Sequence, residues 1–195
     1  TNIVLMGAGE PLDNYDNVAK FLRLVNAKEG LNISLRNISL STCGLIPGVD
    51  RLIEDELWVT LTFSLHAPTD EIRSGLMPVN KAYPIAEVIA AAKRYYQASG
   101  RRVVFEYTLI KGVNDSDLCA KQLAKLVSGF PTHINLIVLN YVKERGLKGT
   151  PRDHAKEFCD TLTKLGASAT VRRTMGADIE GACGQLRRKY IGKDA

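Results

Sequence analysis

The residue best suited to carry chemistry in this 195-residue sequence is Cys183, near the C-terminus of the chain. Its neighbours Gly181, Ala182 and Gly184 are small, so the backbone can bend there and a bulky substrate can approach the sulfur. A thiolate at this position would act as a nucleophile. The alternative is a small buried hydrophobic residue in a C-terminal helix, and the spacing of Cys183 alone leaves both interpretations open.

The other three cysteines, Cys43, Cys119 and Cys159, are too widely spaced for a Cys-x-x-Cys metal site and too few for a disulfide framework. Cys119 and Cys159 share helical stripes with apolar residues, which predicts that both lie in the core. This cysteine usage fits a reducing compartment, so we expect a cytoplasmic protein.

Composition predicts one globular unit over residues 1–195, with 45% hydrophobic residues and a net charge of +5. No apolar run reaches membrane length and no export leader is recognisable, so we expect a monomer without membrane contact. The first residue, Thr1, is not an initiator methionine and a strand-like run follows at once, which suggests that the chain is truncated upstream.

Basic residues are concentrated near the C-terminus. Residues 172–195 hold six cations and three anions, and the cations are Arg172, Arg173, Arg187, Arg188, Lys189 and Lys193. Such a segment attracts phosphates, although a solvated helix end explains the same charges.

Strand-like and helix-like segments alternate along the chain. Strands are predicted at residues 3–6, 37–41, 57–65, 103–110, 134–139 and 168–171. Helices are predicted after Asn14, at 47–55, around 70–74, at 84–99, from 115 to 127 and at 151–165. Regular strand-loop-helix units imply an α/β fold with parallel strands, either an open doubly wound sheet or a partial barrel.

One glycine and six polar residues lie at or just after the C-terminal ends of the predicted strands, where sites of such folds lie. They are Gly9, Glu10, Ser41, Thr42, Ser64, His66 and Asn140. The glycine loop is either an ordinary turn or a point of close approach to a ligand, and in the second case Glu10 could accept hydrogen bonds from a cationic amine of that ligand. The serines could satisfy local backbone groups, the histidine could be a core residue or a donor to ligand oxygens, and the asparagine could cap a turn or bind a carboxylate or an adenine edge.

Six segments in this order resemble the RlmN family of radical S-adenosylmethionine enzymes, which are dual-specificity RNA adenine-C2 methyltransferases. The segments are Gly9-Glu-Pro11, Leu40-Ser-Thr-Cys-Gly44, Ser64-Leu-His-Ala67, Gly112-Val-Asn-Asp115, Ile134-Asn-Leu-Ile137 with Asn140, and Ala182-Cys-Gly-Gln-Leu186. The resemblance covers nearly the whole chain. It implies a partial (β/α) barrel of the radical SAM type that lacks its first strand, with residues 168–195 as a final strand and a methyl-carrying segment.

The resemblance also implies roles for single residues. Cys183 would be methylated by a first S-adenosylmethionine, and Gly9 and Glu10 would hold the amino group of the cofactor. The other implied cofactor contacts are Ser41, Ser64, Leu65, His66 and Asn140. In the family a [4Fe-4S] cluster receives an electron from an electron donor and cleaves a second S-adenosylmethionine reductively. The resulting deoxyadenosyl radical takes a hydrogen from the S-methyl group. The carbon radical then adds to carbon 2 of an adenine in 23S rRNA or tRNA.

The chain departs from the family pattern in three respects. The Cys-x-x-x-Cys-x-x-Cys cluster motif is absent, so the cluster ligands are expected upstream and no metal ligand is assigned here. The first strand, the upstream RNA-binding region, the general base and the resolving cysteine are also expected there. Val138 and Tyr141 stand around Asn140 where the family usually carries prolines.

These departures leave two alternatives open. As given, the chain could be an inactive S-adenosylmethionine- or RNA-binding module. A relative that methylates carbon 8 of adenine shares the Cys183 motif, but it tends to have alanine where Pro11 stands here, which favours carbon 2.

Overall fold

The computed structural model describes residues 2–7, 9–140 and 146–173. The strands are β1 (Ile3–Leu5), β2 (Ile38–Thr42), β3 (Thr60–Ser64), β4 (Val103–Leu109), β5 (Thr132–Val138) and β6 (Ala169–Val171). The α-helices are α1 (Tyr15–Asn26), α2 (Ile46–Glu54), α3 (Asp70–Leu76), α4 (Ile85–Ser99), α5 (Asp117–Leu126) and α6 (Arg152–Lys164). Short 3₁₀ turns occur at Pro11–Asn14, Leu35–Asn37 and Pro78–Lys81.

The strands form one parallel sheet in the order β1-β2-β3-β4-β5-β6. Because each strand pairs with the next strand in the chain, right-handed crossovers place all the helices on one face of the sheet. The sheet ends at β1 and β6 in the described part of the chain, and these two strands do not pair with each other. The architecture is therefore the predicted α/β fold with an open, partial barrel.

Strand β4 shows how the two faces of the sheet differ. Phe105, Tyr107 and Leu109 are fully buried on the helix-covered face, where the Tyr107 ring stacks on Phe158 of α6 with 5.7 Å between centroids. The alternate residues are only half-buried and project from the opposite face. This second face is largely polar, and it forms the floor of the site described below.

Most predicted elements are present within one or two residues of their expected bounds, but the third strand is shorter than predicted. Residues 57–65 were expected, whereas β3 covers Thr60–Ser64. The backbone is left-handed at Glu56, with φ of 53°, and the Trp58 amide donates to the Glu56 carbonyl at 3.1 Å. A turn after α2 therefore replaces the first part of the strand.

The predicted core positions are confirmed for Cys119, which is 6% exposed, while Cys159 is half-buried and packs against the core. The predicted final strand appears as β6. The remainder of the C-terminal segment, with Cys183 and the cations after Arg173, lies outside the described residues. Among the helices that are described, none is long and apolar enough to cross a membrane.

Candidate ligand-binding site at the strand ends

A cavity of about 510 Å³ lies at the C-terminal ends of the strands. Its wall contains six of the predicted site residues, namely Gly9, Glu10, Ser41, Ser64, His66 and Asn140. The predicted Cys183 lies outside the described residues, and so does Tyr141 of the loop after Asn140. The ends of parallel strands thus bring together residues that are far apart in the sequence, as expected for this fold.

Leu65 is the predicted site residue that the structure does not place in the cavity wall. Its side chain is fully buried in the core. Its amide donates to the Glu106 carbonyl at 3.0 Å, and its carbonyl accepts from Arg73 Nε at 3.2 Å. The side chain and both backbone groups of Leu65 are therefore occupied within the protein, and the residue supports its neighbours in the wall.

The glycine loop after β1 is open to a ligand. Gly9 has a φ of 98°, which favours glycine, and apart from its chain neighbours no heavy atom of the described residues lies within 4 Å of the position that a β-carbon would take. The Glu10 carboxylate accepts from the amides of Leu12 at 3.1 Å and Cys43 at 2.6 Å. A carboxylate has about four acceptor positions, so Glu10 can tie the β1 loop to the end of β2 and still accept from a cationic amine.

The two predicted serines and Asn140 offer free polar groups. Their side chains make no hydrogen bond to any other residue that the structure describes. The local backbone at the end of β2 is satisfied instead by Thr42, whose hydroxyl accepts from the amides of Gly44 at 3.1 Å and Leu45 at 3.3 Å. Ser41, Ser64 and Asn140 are therefore available for a ligand.

The Cys43 thiol in the cavity wall is held in its protonated form. Burial raises the pKa of the Cys43 thiol to about 12, and the hydrogen bond and negative charge of Glu10 act in the same direction. A thiol with such a pKa stays protonated at neutral pH and is a poor nucleophile.

His66 combines an unusual backbone with a defined ring state. Its φ of 58° is left-handed, and its Nδ1 accepts from the Thr108 amide at 3.0 Å. Burial and then the positive charge of Arg73 lower the pKa of His66 to about 4. The ring is therefore neutral at physiological pH, and its hydrogen is on Nε2 because an amide can only donate to Nδ1.

This low pKa predicts a pH dependence of stability. In the unfolded chain a histidine has a pKa of about 6.5, so below that pH the unfolded state binds more protons than the folded state. The free energy of unfolding should fall as the pH drops from 6.5 to 4, by at most about 1.4 kcal/mol per pH unit from this group. Urea denaturation of the wild type and His66→Gln across this range measures the effect.

The variant serves as the control in that experiment, since His133, His154 and the carboxylates are common to both chains. The charge that lowers the pKa of the ring is that of Arg73, and the carboxylates of Glu10 and Glu106 share the cavity wall with His66. The difference in unfolding free energy between the two chains should therefore change with pH. A constant difference between pH 4 and 7 would contradict the assigned ring state.

Two polar residues of β4 in the cavity wall, Glu106 and Thr108, were not predicted from the sequence. Burial raises the pKa of the Glu106 carboxyl, while the positive charge of Arg172 and hydrogen bonding by Asn135 act in the opposite direction. Glu106 pairs in register with Ser64 on one side and Asn135 on the other. The alternation of polar and apolar residues along this strand was the signal that could have identified them.

The cavity wall suits a nucleoside carrying an amino acid better than it suits a metal centre. It offers a carboxylate, hydroxyls, an amide and a neutral imidazole around an open loop. In the described ranges, no group of three or more His, Cys, Asp or Glu residues is arranged to hold a metal ion. These residues therefore fit S-adenosylmethionine, and they do not fit a [4Fe-4S] cluster.

Comparison with known proteins identifies the family. The sequence profile of the Radical SAM superfamily matches residues 1–120, which is more than half of the chain. The chain belongs to the radical SAM superfamily. A solved radical SAM methyltransferase from Sphaerobacter thermophilus superimposes with a TM-score of 0.91 and 47% identity, covering 95% of this chain and 54% of that one. A domain of a pyruvate-formate lyase-activating enzyme from Bacteroides vulgatus shares the fold. It is 18% identical and superimposes with a TM-score of 0.62, covering 88% of this chain and 99% of that one.

Curated relatives of this radical SAM chain carry one recurrent name. A probable dual-specificity RNA methyltransferase RlmN from Lachnospira eligens is 51% identical over 191 residues, and one from Clostridium acetobutylicum is 52% identical over 191 residues. Each alignment covers 98% of this chain and 55% of the relative. The chain thus spans about half the length of the curated relatives it matches.

Proposed function

We propose that this chain forms the S-adenosylmethionine site and the methyl-carrying segment of a radical RNA methyltransferase that modifies carbon 2 of adenine in 23S rRNA and tRNA. The single observation that supports this most is the cavity, whose wall holds six of the eight residues implied by the family resemblance. The names of the relatives support the reaction class.

S-adenosylmethionine carries a cationic amino group, a carboxylate, ribose hydroxyls and an adenine. The Gly9-Glu10 loop is the proposed contact for the amino group, since it combines an open backbone with a carboxylate. The hydroxyls of Ser41 and Ser64 and the amide of Asn140 have no partner among the described residues, so they are the proposed contacts for the remaining polar groups. Carbon 2 of adenine is electron-poor and cannot attack a sulfonium methyl as a nucleophile, so a cysteine must deliver the methyl group as a radical.

A bound [4Fe-4S] cluster would supply the electron that cleaves S-adenosylmethionine, with ligands beyond the residues described here. Cys183 is the proposed methyl carrier. Arg172 and Arg173 are exposed and border the cavity, where they can attract RNA phosphates. Such phosphate contacts position a nucleic acid without specifying its sequence. The proposed partners are RNA and an electron donor for the cluster, and the proposed location is the cytoplasm.

Product analysis tests the proposal. The protein is expressed from its whole gene, reconstituted anaerobically with iron and sulfide, and incubated with methyl-labelled S-adenosylmethionine, a reductant and either tRNA or a 23S rRNA fragment. Digestion and mass spectrometry should show labelled 2-methyladenosine. Labelled 8-methyladenosine would identify the carbon-8 reaction instead. Binding of S-adenosylmethionine without methylation would leave only a binding module, and absence of binding would overturn the proposal.

A further inference from the structure

The short segment Ser64–His66 is held by hydrogen bonds along its whole length. The amides of Leu65 and His66 both donate to the Glu106 carbonyl, at 3.0 and 3.2 Å. The carbonyls of Ser64 and Leu65 both accept from the Arg73 guanidinium at 3.2 Å. No backbone hydrogen-bonding group between the Ser64 carbonyl and the His66 amide is left free, so the segment cannot move without breaking several bonds.

Arg73 of α3 holds this segment by donating hydrogen bonds to its carbonyls. Its side chain is fully buried, and all five of its N–H groups are used. Besides Ser64 and Leu65, they reach the Cys43 carbonyl at 2.7 Å, the Tyr83 carbonyl at 3.1 Å and Asn80 Oδ1 at 2.9 Å. This arginine makes no salt bridge with a described carboxylate, so its role is to join the ends of β2 and β3.

Asn114 also holds the segment, through a hydrogen bond to the His66 carbonyl. Its side chain is fully buried, and its Nδ2 donates to the carbonyls of His66 at 2.8 Å and Thr108 at 2.7 Å. Its Oδ1 accepts from the Ile110 amide at 2.8 Å. The left-handed backbone of His66 is unfavourable for a residue with a side chain, and it persists only where surrounding bonds enforce it.

These bonds leave one group of His66 for a ligand. Nδ1 is engaged by the Thr108 amide, whereas Nε2 has no hydrogen-bond partner among the described residues. In that same part of the chain, no buried side-chain nitrogen or oxygen lacks a partner. Nε2 is therefore not a fully buried atom, and His66 is one of the residues that line the cavity.

We infer that Arg73 and Asn114 are positioning residues that lock His66 in its left-handed conformation and aim its Nε2–H at an oxygen acceptor of the ligand. The identity of this ligand, S-adenosylmethionine, rests on the proposed function, and its carboxylate or ribose oxygens are the acceptors. Asn114 belongs to the Gly112-Val-Asn-Asp115 motif, and its side chain donates to the carbonyls of two cavity-wall residues, His66 and Thr108.

Nuclear magnetic resonance on the ligand-free chain tests the ring state. With ¹⁵N-labelled histidine, His66 should show an unprotonated Nδ1 and a protonated Nε2 throughout pH 5.5–8, and its signals are assigned by their loss in His66→Gln. The opposite tautomer, or protonation of the ring within this range, would overturn the inference. This result does not depend on which ligand the cavity binds.

Two isosteric substitutions test the positioning. Asn114→Asp removes the amide donor that holds His66, and Asn26→Asp removes a similar donor to the Ile33 carbonyl on an exposed helix end. Asn114→Asp should weaken the binding of S-adenosylmethionine, measured by calorimetry, by roughly tenfold, as expected for one lost hydrogen bond. It should also alter the His66 ring signals. Asn26→Asp should change neither measurement.

A double substitution separates positioning from general destabilisation. In the His66→Gln background, Asn114→Asp should cause little further loss of binding because the group that it positions is gone. Independent, multiplicative losses, or normal ring signals in Asn114→Asp, would overturn the inference. If Asn114→Asp does not fold, Arg73→Lys replaces it, since it keeps the charge with three donors instead of five. A wild-type chain that fails to bind S-adenosylmethionine would overturn the proposed function and leave the ring-state test intact.

Discussion

Replacing Cys183 with alanine should abolish methyl transfer to RNA, because the proposed reaction delivers the methyl group from this sulfur. The binding of S-adenosylmethionine should remain, since the cavity is built from residues of the strand ends and does not require the thiol. The measurement compares labelled methyl groups in RNA and calorimetric binding of S-adenosylmethionine for the wild type and Cys183→Ala, both expressed from the whole gene with reconstituted iron.

Cys159→Ala is the matched control for that experiment. Cys159 is a half-buried cysteine of α6 that packs against the core and does not line the cavity. Its replacement should leave methyl transfer within about twofold of the wild type, since a modest loss of packing changes stability more than it changes a distant site. Methylation of RNA by Cys183→Ala would show that another group carries the methyl.

Replacing Arg73 with leucine should reduce the free energy of unfolding by about 3–5 kcal/mol, a large part of the stability of a small domain. The substitution leaves four carbonyls and the Asn80 side chain without the donor that they have in the folded state. Buried acceptors without a partner each cost free energy, because they lose water and gain nothing in return. Urea denaturation followed by circular dichroism measures the change.

Arg94→Leu provides the comparison for Arg73→Leu. Arg94 pairs with Asp50 at 2.7 Å, and both side chains are more than 40% exposed. An exposed pair of this kind contributes less than about 1 kcal/mol, so the control should lie near the wild type. Equal, small effects of the two substitutions would show that the buried guanidinium is not needed to hold the strand ends together.

The sequence was sufficient for the order of the elements and for six residues that the structure brings together in one cavity wall. Alternation of apolar segments with period 2 and period 3.6 is a local property, so strands such as Val103–Leu109 and helices such as Ile85–Ser99 were predicted within a residue. The wall residues Gly9, Ser41, Ser64 and Asn140 were identified because each lies at or just after the C-terminal end of a strand, and parallel strands end at the same edge.

The geometry of the turns and the hydrogen-bond partners of the buried polar side chains were decided only by the tertiary structure. The sequence did not show that a left-handed residue after α2 shortens β3, or that Leu65 turns inward. It gave no role to Arg73, whose partner Cys43 is 30 residues away, or to Asn114, which is 48 residues from His66. Hydrophobic periodicity records which face of an element is buried, whereas the partner of a buried polar group depends on where distant segments meet. The elements and the edge that carries the site were therefore determined by the sequence pattern alone, while the orientation of His66 in that site depends on contacts that only the folded chain creates.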